Sequence, residues 1–242
     1  MYPETKADYE SFKSVREQTD ILNRLFPHLR LGIPSAKASL QALPEGAKAQ
    51  VVIPRWQLFD TSYPYALEMV ISKLKQVRGK HLFYNALTGW PHGSTTPFDD
   101  SFIRVGTRHE AMFDLLVRQQ SKKDTTCNLV VVPVQFGRRL GSSSVTMFEQ
   151  RLAHSSSQNE FCLSTFDMLI MFLVQPEWFL DQAELGQIFC PGDECDYKLT
   201  KIWNQVPFFE IKAHSLTIKR AGVDYTPPLY APIRFATGFL NA

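Results

Sequence analysis

Apolar residues recur along this chain with two periods, and the change from one to the other marks out its elements. Residues 4–26 place Tyr9, Phe12, Val15, Ile21, Leu22, Leu25 and Phe26 near helical spacing among charges, which predicts a helix closed by Pro27. Tyr65 to Val77 repeats the pattern with Ala66, Met69, Val70, Leu74 and Val77 on one face. Pro64 stands just ahead of it, where a helix start tolerates proline. His109 to Gln119 reads as a third helix, with Met112, Phe113, Leu115, Leu116 and Val117 mostly inward.

Elsewhere β-branched runs predict strands at residues 50–54 and 129–136, with shorter ones at 81–85, 102–105, 208–211 and 215–219. The near-continuous run Leu129–Phe136 predicts burial on both faces, although Pro133 removes one ladder donor. Residues 145–152 fit a strand or a helix. The most apolar run, Phe161 to Val174, is broken by Asp167 and predicts a buried core helix over 163–175, capped by Ser164 or Thr165. Pro176 ends it and can open a second helix, Glu177 to Ile188. As a helix the run would span about 21 Å against a hydrocarbon core of roughly 30 Å, so no membrane span is expected.

The elements together predict an α+β fold. A central mixed sheet including 50–53, 82–85, 129–136 and 208–219 is packed by helices 65–77, 109–119 and 163–175. The expected organisation is a single compact domain: an N-terminal helical arm (residues 1–30) and a body (31–242) that ends in a tail rich in proline and aromatics. Leu87 to Ser101 is the longest irregular stretch, and loops of that length in compact domains are usually functional or disordered. A chain of 242 residues can bury roughly 70–75% of its unfolded surface, so it needs no disulfide or metal to be stable.

Charge changes this picture in one respect. From Leu152 to Tyr197 there is no Lys or Arg but there are eight acids: Glu160, Asp167, Glu177, Asp181, Glu184, Asp193, Glu194 and Asp196. The net charge is only +2, yet residues 1–80 hold twelve Lys/Arg against eight acids and residues 161–242 hold six against nine. Such segregation predicts an acidic and a basic side, which concerns partners more than chemistry. Four cysteines (127, 162, 190 and 195) follow no metal pattern, since Cys190 and Cys195 form C-x4-C without a second pair. This cysteine usage and an N-terminus lacking an apolar signal core point to a reducing, cytoplasmic location.

Candidate chemistry is sparse. Gly137 to Ser144 (GRRLGSSS) follows the best strand, and glycines, hydroxyls and the forked Arg138 and Arg139 are the ingredients of phosphate binding. Ser142, Ser143 and Ser144 would add donors, but the spacing is not that of a P-loop. The alternative for these residues is a tight hairpin with solvated arginines. Arg104 and Arg108 extend the set of possible nucleic-acid backbone contacts, with Tyr84, Trp90 and Phe98 available for stacking. Asp99, Asp100, His92 and His109 have the residue types of a divalent-metal phosphoesterase, though not its spacing; the plainer reading makes Asp99-Asp100 a turn and His109-Glu110 an exposed helix face. There is no nucleophile elbow.

Trp90, Tyr225, Tyr230, Phe235 and Phe239 are candidates for a partner surface, because an extended proline and aromatic tail suits wrapping over a neighbour. The expected function is a non-catalytic intracellular binding or assembly subunit. Its partner would be another protein subunit, with nucleic acid or a second copy of the chain as further partners and no cofactor. The alternative is a metal-assisted enzyme on a phosphate-bearing substrate, binding through Arg138, Arg139 and Ser142 to Ser144 and using Asp99, Asp100 or His109 for chemistry.

Overall fold

The first helix begins where its cap chemistry allows. Ser14 and Glu17 form a capping box, and helix α1 runs Val15–Leu25 with Val15, Gln18, Thr19 and Leu22 buried at i, i+3, i+4 and i+7. The computed structural model describes residues 12–34, 42–78, 83–85, 102–121, 128–136, 145, 159–176, 187–196, 202–212, 215–225 and 233–240. After α1 come β1 (Ala49–Pro54), α2 (Tyr63–Arg78), β2 (Phe83–Asn85), β3 (Ile103–Val105), α3 (Thr107–Ser121), β4 (Leu129–Phe136) and β5 (Glu160–Cys162). Then follow α4 (Thr165–Val174), β6 (Gln187–Phe189), β7 (Asp193–Cys195), β8 (Gln205–Lys212), β9 (Ser215–Gly222) and β10 (Ile233–Phe239).

The strands form one mixed sheet in the order β1-β4-β10-β6-β8-β7-β3, with β9 beside β8, β2 beside β9 and β5 beside β10. The fold is α+β, as the periodicity predicts. Strand β10 is its hub, antiparallel to β4 and β5 and parallel to β6. Gly238 lies where three elements close in: a Cβ there would meet Phe161 at 2.7 Å and Val132 at 2.9 Å. The glycine is a slot for close strand approach, not a break in a tail.

Pro133 turns out to mark where a ladder ends. The carbonyl of Val134 points toward β1, accepting from the Lys48 N–H at 2.8 Å, so residues 131, 133 and 135 present their backbone groups toward β10. The β10 pairing stops at Gly238 opposite Val134, just before the position where Pro133 would owe a donor. At Val131 the side-chain amide of Gln120, on α3, takes over. It donates to the Val131 carbonyl at 2.7 Å and accepts from its N–H at 2.9 Å.

Helix α4 is buried on every side, all ten of its residues included, and packs against α1, α2 and β1. A helix that is apolar all round belongs in a core. A smaller cluster gathers around Phe189, Phe208 and Phe235, with the first two rings stacked at 4.9 Å. Among the described residues no helix is long and apolar enough to cross a membrane.

Two sequence expectations need correction. The second helix, Glu177 to Ile188, does not reach its predicted end, because Gln187 and Ile188 lie in β6 between β10 and β8. The buried pair Ile188–Phe189 suits a central strand better than the last turn of a surface helix. Phe235 and Phe239 are not partner surface: they are 0% and 2% exposed in a central strand of the chain's own sheet. Tyr225 is half-buried and stacks on Phe189 at 6.1 Å, while Tyr230 lies outside the described residues.

If β10 is core, truncating its central side chain has a core cost. Phe235→Ala is expected to lower unfolding stability in urea by about 3–5 kcal/mol, whereas Ile202→Ala, at a residue 59% exposed, should change it by less than about 0.5 kcal/mol. Near-equal small effects would contradict the central placement of β10.

Candidate functional site

A buried helix start has no water to satisfy its leading N–H groups, so the fold must supply acceptors. At α4 each one has a partner. Ser164 and Asp167 form a capping box: the Asp167 N–H donates to Ser164 Oγ at 3.1 Å, and the Ser164 N–H donates to Asp167 Oδ2 at 2.9 Å. The Thr165 N–H donates to Asp193 Oδ2 at 2.7 Å, and the Phe166 N–H to the Tyr63 hydroxyl oxygen at 3.3 Å. That hydroxyl in turn donates to the Asp193 carboxylate, 2.8 Å from each oxygen.

Four elements converge to build this. Tyr63 opens α2, Asp193 opens β7, Ser164 and Asp167 start α4, and His109 comes from the first turn of α3. Asp193 arrives on the Pro191–Gly192 turn, which presses directly on the backbone before α4. The Gly192 N–H donates to the Leu163 carbonyl at 3.2 Å, and the Gly106 N–H to the Gly192 carbonyl at 2.8 Å. A Cβ on Gly192 would sit 2.6 Å from the Leu163 carbonyl and the Ser164 nitrogen, so only glycine fits.

His109 Nε2 lies 2.6 Å from Asp167 Oδ2, with both side chains almost fully buried. Its ring stacks on Phe113 at 5.6 Å and meets Phe161 edge-on at 5.7 Å, while its Nδ1 is buried and makes no hydrogen bond. Two carboxylates therefore share the positive end of one buried helix dipole, each with a side-chain donor. The opposing influences differ by group. Burial pushes the Asp193 carboxyl up to about 7, against the hydrogen bonds from Thr165 and Tyr63 and the charge of His109. Burial, followed by the charges of Asp193 and Asp167, raises the Tyr63 phenol well above its ordinary range. Burial pulls His109 down, but Asp167, Asp193 and Glu110 outweigh it and the imidazole is raised overall.

A cleft opens beside the pair, walled by Arg55, Trp56, Gln57, Glu110, Phe113 and Asp114, with Val105, Phe166, His109 and Asp167 completing its lining. About 20 Å³ is open to the centre of a water-sized particle, which is room for one ordered water. Arg55 and Asp114 approach to 3.5 Å at its rim. Chemically the arrangement can hold or pass a proton at His109; what it visibly does is bind four elements together.

The remaining sequence candidates scatter. Arg104 is half-exposed, donates to Glu194 at 2.6 and 2.8 Å, and stacks over Trp203 at 4.0 Å. Arg108 is exposed on α3. Arg138, Arg139, Ser142, Ser143, Ser144, Trp90, His92, Asp99 and Asp100 lie outside the described residues. The reading of His109-Glu110 as an exposed face holds for Glu110 and fails for His109, which faces the core.

The acidic run needs the larger correction. Glu160, Asp167, Asp193 and Asp196 are all buried, and Glu194 is paired with Arg104, so these acids do not form a solvated acidic side. Glu160 accepts from the Thr237 hydroxyl at 2.5 Å, which itself accepts from Gln135 at 2.8 Å. Cys162, Cys190 and Cys195 are buried. Burial, then the nearby Asp193, pushes the Cys190 and Cys195 thiols up, the reverse of a reactive or metal-binding thiolate. Among the described residues no group of three or more His, Cys, Asp or Glu is placed to hold a metal.

Tyr63 and Asp193 lie 130 residues apart and did not read as parts of one cluster in the sequence. The signals for it were the Ser164-x-x-Asp167 spacing of a capping box and a Pro-Gly-Asp turn inside an apolar region. Comparison of the chain with family models, curated proteins and solved structures finds no match.

Linkage sets the sign of a pH effect. With Asp193 held up to about 7 against an ordinary 3.8, and His109 raised above 6.5, the folded chain binds more protons than the unfolded one through these groups. Their stabilising contribution is therefore greatest on the acid side and falls as pH rises through about 4 to 7 and beyond. Measured by urea unfolding, the stability of the wild-type chain relative to Asp193→Asn is expected to fall between pH 5 and pH 8. A difference that rises with pH would show that Asp193 is held as a low-pKa carboxylate instead.

Proposed function

We propose that this chain is a non-catalytic binding or assembly subunit of a macromolecular complex, meeting anionic groups such as a nucleic-acid backbone through basic side chains. One observation carries the reading. The groups that resemble catalytic machinery are consumed in holding the start of α4, with Asp167, Asp193 and Tyr63 each committed to backbone N–H groups of that helix. Exposed basic side chains support it further. Arg108 is open on α3, and Arg104, although paired with Glu194, lies half-exposed over Trp203 near the surface. The Arg138–Arg139 segment directly follows β4 in sequence and supplies the phosphate-binding ingredients already described.

A second reading is favoured by the His109–Asp167 pair beside its cleft: an enzyme on a phosphate-bearing substrate, with His109 as proton carrier and Arg55 as anion contact. A His oriented by a carboxylate is the usual arrangement of a general base. The two readings separate in one set of measurements. The binding reading expects the purified chain to bind a single-stranded oligonucleotide with salt-dependent affinity, weakened at least tenfold by combined Arg138→Ala and Arg139→Ala, with no turnover of phosphoesters. Turnover that disappears in His109→Ala, together with oligonucleotide affinity unchanged by the arginine substitutions, would transfer the assignment to the enzyme.

A further inference from the structure

Strand β1 ends the sheet order, yet its outer edge is closed. The device is a single side chain. Gln18 of α1 is fully buried; its amide nitrogen donates to the Gln50 carbonyl at 2.9 Å and its oxygen accepts from the Val52 N–H at 3.0 Å. A carbonyl at one residue and an N–H two residues on are what a parallel neighbouring strand would engage. The remaining donor of the amide goes to the Lys13 carbonyl at 2.7 Å, so the group is satisfied on every side. The third outward position on the same edge is Pro54, which has no N–H to offer. Gln18 stands in for a missing strand.

We propose that α1 is an edge guard and that the outer edge of β1 is a latent pairing surface whose occupant, once Gln18 is withdrawn, is β1 of a second copy of this chain. Three features of β1 select that occupant. The strand has no charged residue between Lys48 and Arg55 and contains three β-branched residues in a row, Val51, Val52 and Ile53, so Pro54 at its end is the one protection against edge pairing that its own sequence carries. A two-fold antiparallel pairing centred on Val51 sets Gln50 opposite Val52, so that the outward N–H and C=O groups now held by Gln18 are exchanged between copies. The same register keeps Lys48 opposite Pro54 and not opposite Arg55, avoiding a like-charge pair. Such a contact is self-complementary and closes as a dimer.

The test compares Gln18→Met with Gln120→Met. Met keeps the length and helix propensity of Gln and removes the amide. Gln120 makes an equally two-pronged contact with Val131, but on the short stretch of β4 beyond the end of the β10 ladder, where Pro133 removes the neighbouring outward N–H and β1 pairs the other side. Mean mass is read by size exclusion with light scattering over a hundredfold range of protein concentration. Gln18→Met is expected to shift toward twice the wild-type mass as concentration rises, while Gln120→Met follows the wild type. Adding Gln50→Lys to Gln18→Met, which sets a charge from each copy beside the two-fold at Val51, is expected to restore the wild-type mass.

Equal behaviour of the two Met variants, or association that survives Gln50→Lys, would overturn the proposal. Amide exchange in the wild-type chain tests it even if Gln18→Met does not fold. The Val52 N–H is expected to exchange at the rate of the α1 amides, such as that of Leu22, and at least tenfold faster than Val132 in the interior of the sheet. Exchange of Val52 at the Val132 rate would mean that α1 and the edge do not open together, and the guard would be excluded.

Discussion

The start of the buried helix α4 is the constraint from which the rest of this architecture follows. Ten consecutive buried residues make a strong core element, but burial strips its first N–H groups of water, and each would be costly to leave unpaired. The chain answers with two carboxylates, a hydroxyl and a phenol drawn from α2, α4 and β7, and braces one carboxylate with an imidazole from α3. Because the partners come from distant segments, satisfying one helix end fixes how four elements meet. Gly192 then becomes obligatory, since its turn must touch the backbone ahead of α4 to deliver Asp193.

A related solution recurs at the sheet. Gln18, Asn23 and Gln120 each use a side-chain amide as a surrogate peptide group: at β1, at Leu31 in the connection after α1, and at β4 beyond the end of the β10 ladder. A primary amide carries the donor and the acceptor of a peptide unit, so a helix lying beside a strand can complete its hydrogen bonding without another strand. These contacts tie α1 and α3 to the sheet by polar geometry as well as by apolar burial. They also account for the polar residues Gln18 and Gln120 on inward helix faces.

The regular elements were legible in the sequence wherever hydrophobic period was long. Leu129–Phe136 and the helices of 65–77, 109–119 and 163–175 are recovered within a few residues, because local pattern and tertiary burial agree there. What could not be read was long-range pairing. Phe235 and Phe239 sit among prolines and a glycine that locally suggest an extended tail; only the partners of β10 make that stretch the centre of the sheet. The acidic run misled for a related reason. Sequence counts charges but not their depth, and Glu160, Asp167, Asp193 and Asp196 all went inside. His109 was visible as a candidate, but its partner Asp167 is 58 residues away and was legible only as a helix cap.

Tyr63 and Asp193 act as one unit in closing the start of α4. A double-mutant cycle on unfolding free energy with Tyr63→Phe, Asp193→Asn and the pair measures this directly. Groups that share a buried hydrogen bond and cap the same helix should show a coupling of about 1–3 kcal/mol, the pair costing less than the sum of the singles. Strict additivity would mean that the two residues stabilise the fold independently, and the account of α4 as the point on which four elements are fixed would fail.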